Sequence, residues 1–431
     1  MMNYRQTVEY LFATTPSFQQ VGADAYKPGL ERISNFCQLI GNPQNSYLTI
    51  HVAGTNGKGS VSHLLASVLQ CAGYRVGLFT SPHLRDFRER MRVDGEMISE
   101  QDVVDFVARH REDIQQAGLS FFEITTAMAF DFFAMQNVEV AVVETGLGGR
   151  LDATNIITPI LSVVTNIGLD HTDLLGNTLQ AVATEKAGII KAGVPVVLGE
   201  ADEQYNHIFE QKAAQQGSRL VYAQQQCAVE QLEHHNDTIK IKLRRLRDEK
   251  CFDLTMDLVG DYQRHNIVTA AAAADVLDTQ TPLTIPRKAF VQGVGSVVER
   301  THLTGRWQRL SDKPFTVCDT GHNAHGFKYI ASELKRLQSE CERQICVIGF
   351  AREKSITPIL EMLPKQAYYI FTQASSPRAL AAESLAQQGA QQGLQGEVQP
   401  TVAKAIARAR ELATERDMIF IGGSNFVVAE I

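Results

Sequence analysis

The residues 50–60, Ile50-His51-Val52-Ala53-Gly54-Thr55-Asn56-Gly57-Lys58-Gly59-Ser60, hold the densest chemistry in the chain. An apolar, β-rich run breaks into glycines around one lysine and then enters a helical stretch over 61–71. Glycines let successive backbone N–H groups curl around phosphate oxygens, the helix adds its positive end, and Lys58 can reach the outer phosphates. The spacing departs from the strict G-x-x-x-x-G-K-[ST] pattern, because Val52 stands at the first glycine position and Gly59 separates Lys58 from Ser60.

Three further groups fall just beyond apolar runs. Ser81 follows the run ending at Thr80, and its hydroxyl could ligate Mg²⁺. Glu144 ends the run 140–144 and is followed by Thr145-Gly146-Leu147-Gly148-Gly149-Arg150-Leu151-Asp152; a carboxylate at the C-terminal end of a central strand is where a nucleotide hydrolase places its metal ligand. His171 lies beyond the run 160–166 and offers an imidazole. In a doubly wound sheet all these positions lie on the same edge as the phosphate loop. The segment 185–191, Glu185-Lys186-Ala187-Gly188-Ile189-Ile190-Lys191, reads plainly as an amphipathic helix with solvated lysines.

The elements that must position these groups are short apolar runs separated by helix-like stretches, the pattern of a parallel sheet covered by helices, so the class is α/β. Strands are expected over 47–52, 75–80, 138–144, 160–166 and 195–198, and a second series over 315–318, 344–350, 367–372 and 418–422. Between the series lie an alternating strand over 239–243 and an Ala-rich helix over 267–277. The glycine-containing segment 293–306 lacks apolar periodicity and sets a joint near residue 300, giving domains 1–300 and 301–431. The Gln-rich stretch 387–399 reads as a polar surface helix and loop.

Composition narrows the function classes. In 431 residues, 44% are hydrophobic and 21% charged, as in an ordinary folded chain. Lys plus Arg is 41 against 48 acidic residues, a net charge of -7, which argues against nucleic acid as a partner. Seven scattered cysteines without C-x-x-C spacing read as reduced thiols of a cytoplasmic protein. Glu9 interrupts any apolar leader, and no run reaches the ~18 apolar residues of a membrane span.

Taken in order, the motifs resemble the folylpolyglutamate synthase/dihydrofolate synthase family, bifunctional in its bacterial type, of the Mur ligase superfamily. The resemblance rests on residues 54–60, Thr80-Ser81-Pro82-His83-Leu84, Phe122-Glu123, residues 144–152, Asp170-His171 and Glu185-Lys186-Ala187-Gly188. It continues through Gly260-Asp261-Tyr262-Gln263-Arg264-His265-Asn266, Gly305-Arg306, Asp319-Thr320-Gly321-His322-Asn323 and Gly422-Gly423-Ser424. The Gly-Lys-Gly-Ser variant that breaks the strict phosphate-loop pattern is typical of this group. Three positions depart from the family: Tyr262 where His is common, Ala324 after Asn323 where Pro is common, and Asn425-Phe426 after Ser424 where Leu-Tyr is usual.

The resemblance implies a P-loop-type doubly wound domain followed by a smaller Rossmann-like domain that closes over it. It implies that Thr55, Asn56, Gly57, Lys58, Gly59 and Ser60 hold the ATP phosphates, with Asn266, Arg306 and Asp319 as further ATP contacts. Ser81, Glu144 and His171 would surround one or two Mg²⁺ ions, with a monovalent cation as a further candidate. Lys186 would be carbamylated to help bind the second metal. Leu30, Phe122 and Asp152 match positions near the pterin, and Asp319, His322 and Ser424 would meet glutamate. The implied activity is ATP-dependent addition of L-glutamate to tetrahydrofolate and to dihydropteroate through an acyl phosphate, by a monomer, with Lys58, Lys186 and His322 as catalytic groups. The rival readings are a Mur-type ligase for another carboxylate and a non-ligase ATP-driven switch.

Overall fold

A computed structural model of the chain describes residues 2–15, 17–25, 27–235 and 237–431. The chain forms two units, Met1–Asp257 with Gln263–Leu303, and Leu258–Tyr262 with Thr304–Ile431. It therefore passes from one unit to the other three times, where a single joint near residue 300 was expected.

The first unit is built on an eight-stranded sheet. Its strands are β1 (Leu48–Ala53), β2 (Val76–Phe79), β3 (Met91–Val93), β4 (Glu96–Met97), β5 (Val140–Glu144), β6 (Leu161–Val164), β7 (Val196–Leu198) and β8 (Leu220–Tyr222). Their order is β4-β3-β2-β5-β1-β6-β7-β8, parallel except for β3 and β4 at one edge. Central strands such as Val140-Ala141-Val142-Val143-Glu144 are buried throughout, as strands covered on both faces by helices must be. Because β5 and β6 flank β1, the chain leaves β1 at a point where the winding reverses, the position at which sheets of this kind bind ligands.

A three-stranded antiparallel sheet follows: β9 (Cys227–His235), β10 (Thr238–Arg245) and β11 (Lys250–Met256). Only β10 was expected. It buries Ile239, Ile241 and Leu243, whereas much of β9 and β11 is polar and exposed, leaving little alternation to read.

The second unit holds β12 (Gln308–Asp312), β13 (Phe315–Asp319), β14 (Gln344–Ile348), β15 (Tyr368–Phe371), β16 (Gln395–Val398) and β17 (Met418–Gly422). The order is β12-β13-β17-β14-β15-β16, antiparallel only between β12 and β13. Part of the Gln-rich stretch is thus not a loop: after the helix Ala382–Gln391 the chain enters edge strand β16. Its Gly396 lets the backbone run so close to β15 that a Cβ there would lie 1.9 Å from the Tyr369 carbonyl oxygen.

The segment 293–306 is also more ordered than its glycines suggest. Helix Arg287–Val294 ends there and a short helix, Val297–Thr301, follows. The phosphate-loop helix Lys58–Cys71 packs closely against this stretch: Ser67 Oγ donates to the Gly293 carbonyl at 2.7 Å, and His63 Nδ1 lies 2.7 Å from Thr301 Oγ1. A Cβ at Gly293 would meet Val68 Cα at 2.5 Å. Backbone cannot yield as a side chain can, so Gly293→Ala is expected to cost about 1–3 kcal/mol, the usual range for overpacking. Urea unfolding checks this, and an unchanged midpoint would mean the two helices part without cost.

Candidate active site

β1 ends at Ala53 and the loop that follows depends on two glycines. Gly54 has φ +152° and Gly57 has φ +80°. A Cβ on Gly54 would lie 1.8 Å from Thr165 Oγ1, and one on Gly57 would lie 2.4 Å from Asn266 Oδ1. The loop after β6 stitches this turn in place: Thr165 Oγ1 donates to the Asn56 carbonyl at 2.6 Å, and Asn56 N donates to Asn166 Oδ1 at 2.9 Å. Gly168 N donates to Thr55 Oγ1 at 3.0 Å. Asn266, one turn into the helix Gln263–Gln280, is braced by Gln263 Oε1 at 2.7 Å, so the expected ATP contact does lie against the phosphate loop.

Two lysines converge on one carbonyl. Lys58 Nζ donates to Gly54 O at 3.1 Å and to Thr55 O at 3.3 Å, and Lys186 Nζ donates to the same Gly54 O at 2.9 Å. Lys186 is 3% exposed, which overturns the solvated-helix reading of 185–191. The helix Leu179–Ala187 buries the stripe Val182, Ala183, Lys186 and Ala187, so its periodicity points this lysine inward. Burial, and after it the Lys58 charge, pull the Lys186 amine down to about 7, against the opposing pull of Asp170, Asp152 and Glu185.

Glu144 sits buried at the end of β5, one strand from the phosphate loop, and its Oε2 accepts from Ser81 N at 3.4 Å. Sequence reasoning missed Arg90, a buried guanidinium whose charge faces Glu144 and whose Nε donates to His83 Nδ1 at 2.7 Å. Burial, then the Arg90 charge, hold His83 well below the usual imidazole range, as an acceptor requires. His171 starts the short helix Thr172–Leu175 beyond β6, in a left-handed conformation, with Nε2 3.9 Å from Asp170 Oδ2.

The turn after Glu144 is closed by Asp152. Its carboxylate accepts from Leu147 N at 2.7 Å, Thr154 N at 3.0 Å and Thr154 Oγ1 at 2.5 Å. Phe122 lies across Gly146, where a Cβ would come within 2.4 Å of its ring. Leu30 precedes the helix Glu31–Leu39, which is tied by the Arg32–Glu123 pair (3.2 Å) to the helix Phe121–Met135 that carries Phe122. Leu30 and Phe122 thus lie at the starts of two helices joined by that ion pair, whereas the Asp152 carboxylate is turned toward its own loop.

In the second unit, β13 and β17 are neighbours, and Asp319 pairs in register with Gly422. That brings Asp319, His322 and Ser424 to one sheet edge. The Asp319 carboxylate is buried and accepts from Tyr262 OH at 2.7 Å, Trp307 N at 2.8 Å and Gly321 N at 2.7 Å. Arg306 bonds the Thr320 hydroxyl, His322 Nδ1 lies 3.0 Å from the Thr320 carbonyl oxygen, and Ser424 Oγ caps the helix Asn425–Ala429 through Val427 N at 3.2 Å.

Comparison with known proteins accords with this geometry. The Mur ligase middle domain matches residues 52–274, and the glutamate ligase domain of Mur ligases matches 305–425. A folylpolyglutamate synthase of Lacticaseibacillus casei is 36% identical over 88% of this chain and 87% of its own. A dihydrofolate synthase/folylpolyglutamate synthase of Bacillus subtilis is 34% identical over 83% of this chain and 84% of its own. Among solved structures, E. coli FolC in complex with DHPP and ADP aligns with a TM-score of 0.84 at 29% identity, covering 100% of this chain and 96% of that one. Mycobacterium tuberculosis folylpolyglutamate synthase complexed with ADP aligns at 0.86 and 29%, covering 99% and 97%. Identity at this level along almost the whole of both chains is more than a shared fold: the chain belongs to the Mur ligase family, in its folylpolyglutamate synthase/dihydrofolate synthase branch.

Proposed function

We propose that this chain is an ATP-dependent ligase that joins L-glutamate to a folate carboxylate, with tetrahydrofolate and dihydropteroate as substrates. The observation that carries the reading is the pair of lysines on the Gly54 carbonyl, at the N-terminus of a helix and beside a buried strand-end carboxylate. The Lys58 ammonium and a helix dipole in one place, with a second amine beside them, call for a polyanion, and a nucleoside triphosphate satisfies them.

A bare carboxylate is too poor an electrophile for amide formation. Its oxygen therefore attacks the γ-phosphorus, the bond to the β,γ-bridging oxygen breaks, and ADP leaves. The glutamate nitrogen then attacks the acyl carbon, loses a proton and expels inorganic phosphate. Thr55 to Ser60 bind the phosphates, and Lys58 offsets the charge that develops on the transferring group. Asn266 and Arg306 serve the nucleotide. Asp319 and His322 serve ATP and glutamate, and Ser424 serves glutamate. Leu30, Phe122 and Asp152 serve the pterin, Asp152 through the loop that it closes. Ser81, Glu144 and His171 would together offer oxygen donors and one imidazole, a set that suits Mg²⁺; the ion would neutralise phosphate charge. Carbamylation of Lys186 needs the neutral amine, which its burial favours, and would give a second anionic ligand. Cys37 and Cys346 are buried thiols that burial pushes up to about 12, and we take the chain to act in the cytoplasm as a monomer.

The test is ADP release over a panel of pteroates, folates and amino acids. Release that needs both a folate and glutamate supports the ligase, release without either supports an ATP-driven switch, and preference for another acid supports a different Mur-type ligase. Lys58→Ala is expected to lower turnover far beyond tenfold, a barrier change of more than ~1.4 kcal/mol, with the fold intact by circular dichroism. Glu144→Gln should shift the activity curve to higher Mg²⁺ concentration.

Lys186 makes a separate prediction. Its folded-state value, about 7, lies below the ordinary lysine value of 10.5, so between these pH values the unfolded chain binds more protons than the folded one. Folding stability of the ligand-free protein is expected to rise with pH from about 7 toward 10.5, and Lys186→Met should flatten that rise in a series of melting curves. Lys186→Ala should be inactive and partly rescued by short carboxylic acids. Wild-type turnover in that variant would return Lys186 to a structural role.

A further inference from the structure

His51 lies in the middle of β1, three positions before Gly54, paired with Val143 on β5 and Ser162 on β6. It is fully buried in the most apolar part of the first unit. An imidazole there is costly unless its nitrogens find partners. Nε2 lies 2.8 Å from Thr154 Oγ1, while Nδ1 is buried with no hydrogen-bond partner. The half-satisfied ring makes His51 a poor choice for strand stability, since an apolar residue of similar size would leave nothing unpaired.

The direction of the hydrogen bonds says what the ring contributes. Asp152 Oδ1 already accepts from Thr154 N at 3.0 Å, and the Thr154 hydroxyl donates its one proton to the same oxygen at 2.5 Å. The Thr154 oxygen must then accept from His51, so Nε2 carries the hydrogen and Nδ1 is the bare nitrogen. Burial, aided by the Lys191 charge, holds the ring neutral, down to about 3. His51 therefore moves no proton. It orients the Thr154 hydroxyl, which orients the Asp152 carboxylate, whose other oxygen holds Leu147 N at 2.7 Å. The chain of bonds runs from the phosphate-loop strand to the turn that follows Glu144, where Gly146 lies against Phe122 of the helix Phe121–Met135.

We propose that His51 is a positioning residue which, as a fixed Nε2–H donor acting through Thr154 and Asp152, keeps the loop 146–152 in register with the phosphate loop. Its effect on catalysis rests on the folate-ligase reading, because that loop borders the proposed pterin region. The carboxylate to be activated and the phosphate that activates it are then held by two loops joined through one imidazole, and small misplacements between reacting atoms are costly.

The test uses His51→Leu, Thr154→Val and His51→Gln in the full chain. His51→Leu is expected to raise the folate KM and lower kcat, each about fivefold, with the ATP KM unchanged. Thr154→Val should give the same phenotype, the double variant should be no worse than either single one, and His51→Gln, whose amide can still donate to Thr154, should recover to within about twofold of wild type. Two readouts stand apart from activity. The imidazole ¹⁵N shifts of His51 at neutral pH should show a protonated Nε2 and a pyridine-like Nδ1, and the Leu147 amide should exchange with solvent about tenfold faster in His51→Leu, with β2 amides unaffected. A hydrogen on Nδ1, or unchanged Leu147 exchange, overturns the proposal. Failure of every variant and of the wild type to ligate a folate, with those two readouts as expected, overturns the ligase reading alone.

Discussion

The Gly54 carbonyl oxygen accepts hydrogen bonds from two lysine amines at once, Lys58 at 3.1 Å and Lys186 at 2.9 Å, and the arrangement of the first unit follows from keeping them there. Like charges this close repel, and burial strips the water that would screen them. Gly54 has to be glycine because Thr165 fills the space a side chain would need, and Thr165 is held there by the Asn56 carbonyl of the same loop. The concentration of positive charge is tolerable because one amine is pulled toward neutrality and because an anionic substrate is the natural counter-charge.

That arrangement depends on strand order. β1 lies between β5 and β6, so the loops that leave all three strands emerge side by side. The β5 loop brings Glu144 and the turn closed by Asp152. The β6 loop brings Thr165, Asn166 and Gly168 to the phosphate loop, followed by His171. Helix Gln263–Gln280, far along the sequence, brings Asn266 to Gly57. The phosphate loop and the loop after β6 hold each other, since Thr165 donates to the Asn56 carbonyl and Asn56 N donates to Asn166.

Much of this was readable from residue types. Central strands such as β1, β5 and β6 are continuous apolar runs, and the phosphate loop announces itself by glycines at a strand-to-helix break. What escaped detection was contact between segments distant in sequence. Arg90 looked like one charge among several in Asp86-Phe87-Arg88-Glu89-Arg90, and nothing local said that its guanidinium is buried facing Glu144. Lys186 was legible in principle, because it shares a helical stripe with Val182, Ala183 and Ala187, yet a lysine on an apolar stripe is ordinarily placed at the rim. Edge strands β9, β11 and β16 were hidden because they are polar on at least one face, and β16 also carries a glycine that signals close backbone approach as readily as a loop. His51 was invisible for the opposite reason: in an otherwise apolar strand it reads as core.

The same accounting bears on Asp319 in the second unit. Its carboxylate is buried and binds three donors from three segments: Tyr262 from the excursion Leu258–Tyr262, Trp307 from the start of the main body, and Gly321 from its own loop. Burial raises its pKa, and the Arg306 charge and these hydrogen bonds oppose the rise. The excursion is pinned a second time where Asp261 N donates to the buried Glu333 at 3.0 Å. Asp319 thus ties together both stretches of chain by which this unit is entered. A histidine at 262, common in the family, could donate to the carboxylate but would add a group that titrates near neutrality. The Tyr262 phenol, held well above its ordinary value by burial and by Asp319, donates without changing charge. The Tyr262 phenol therefore supplies this hydrogen bond to Asp319 with no charge change near neutrality.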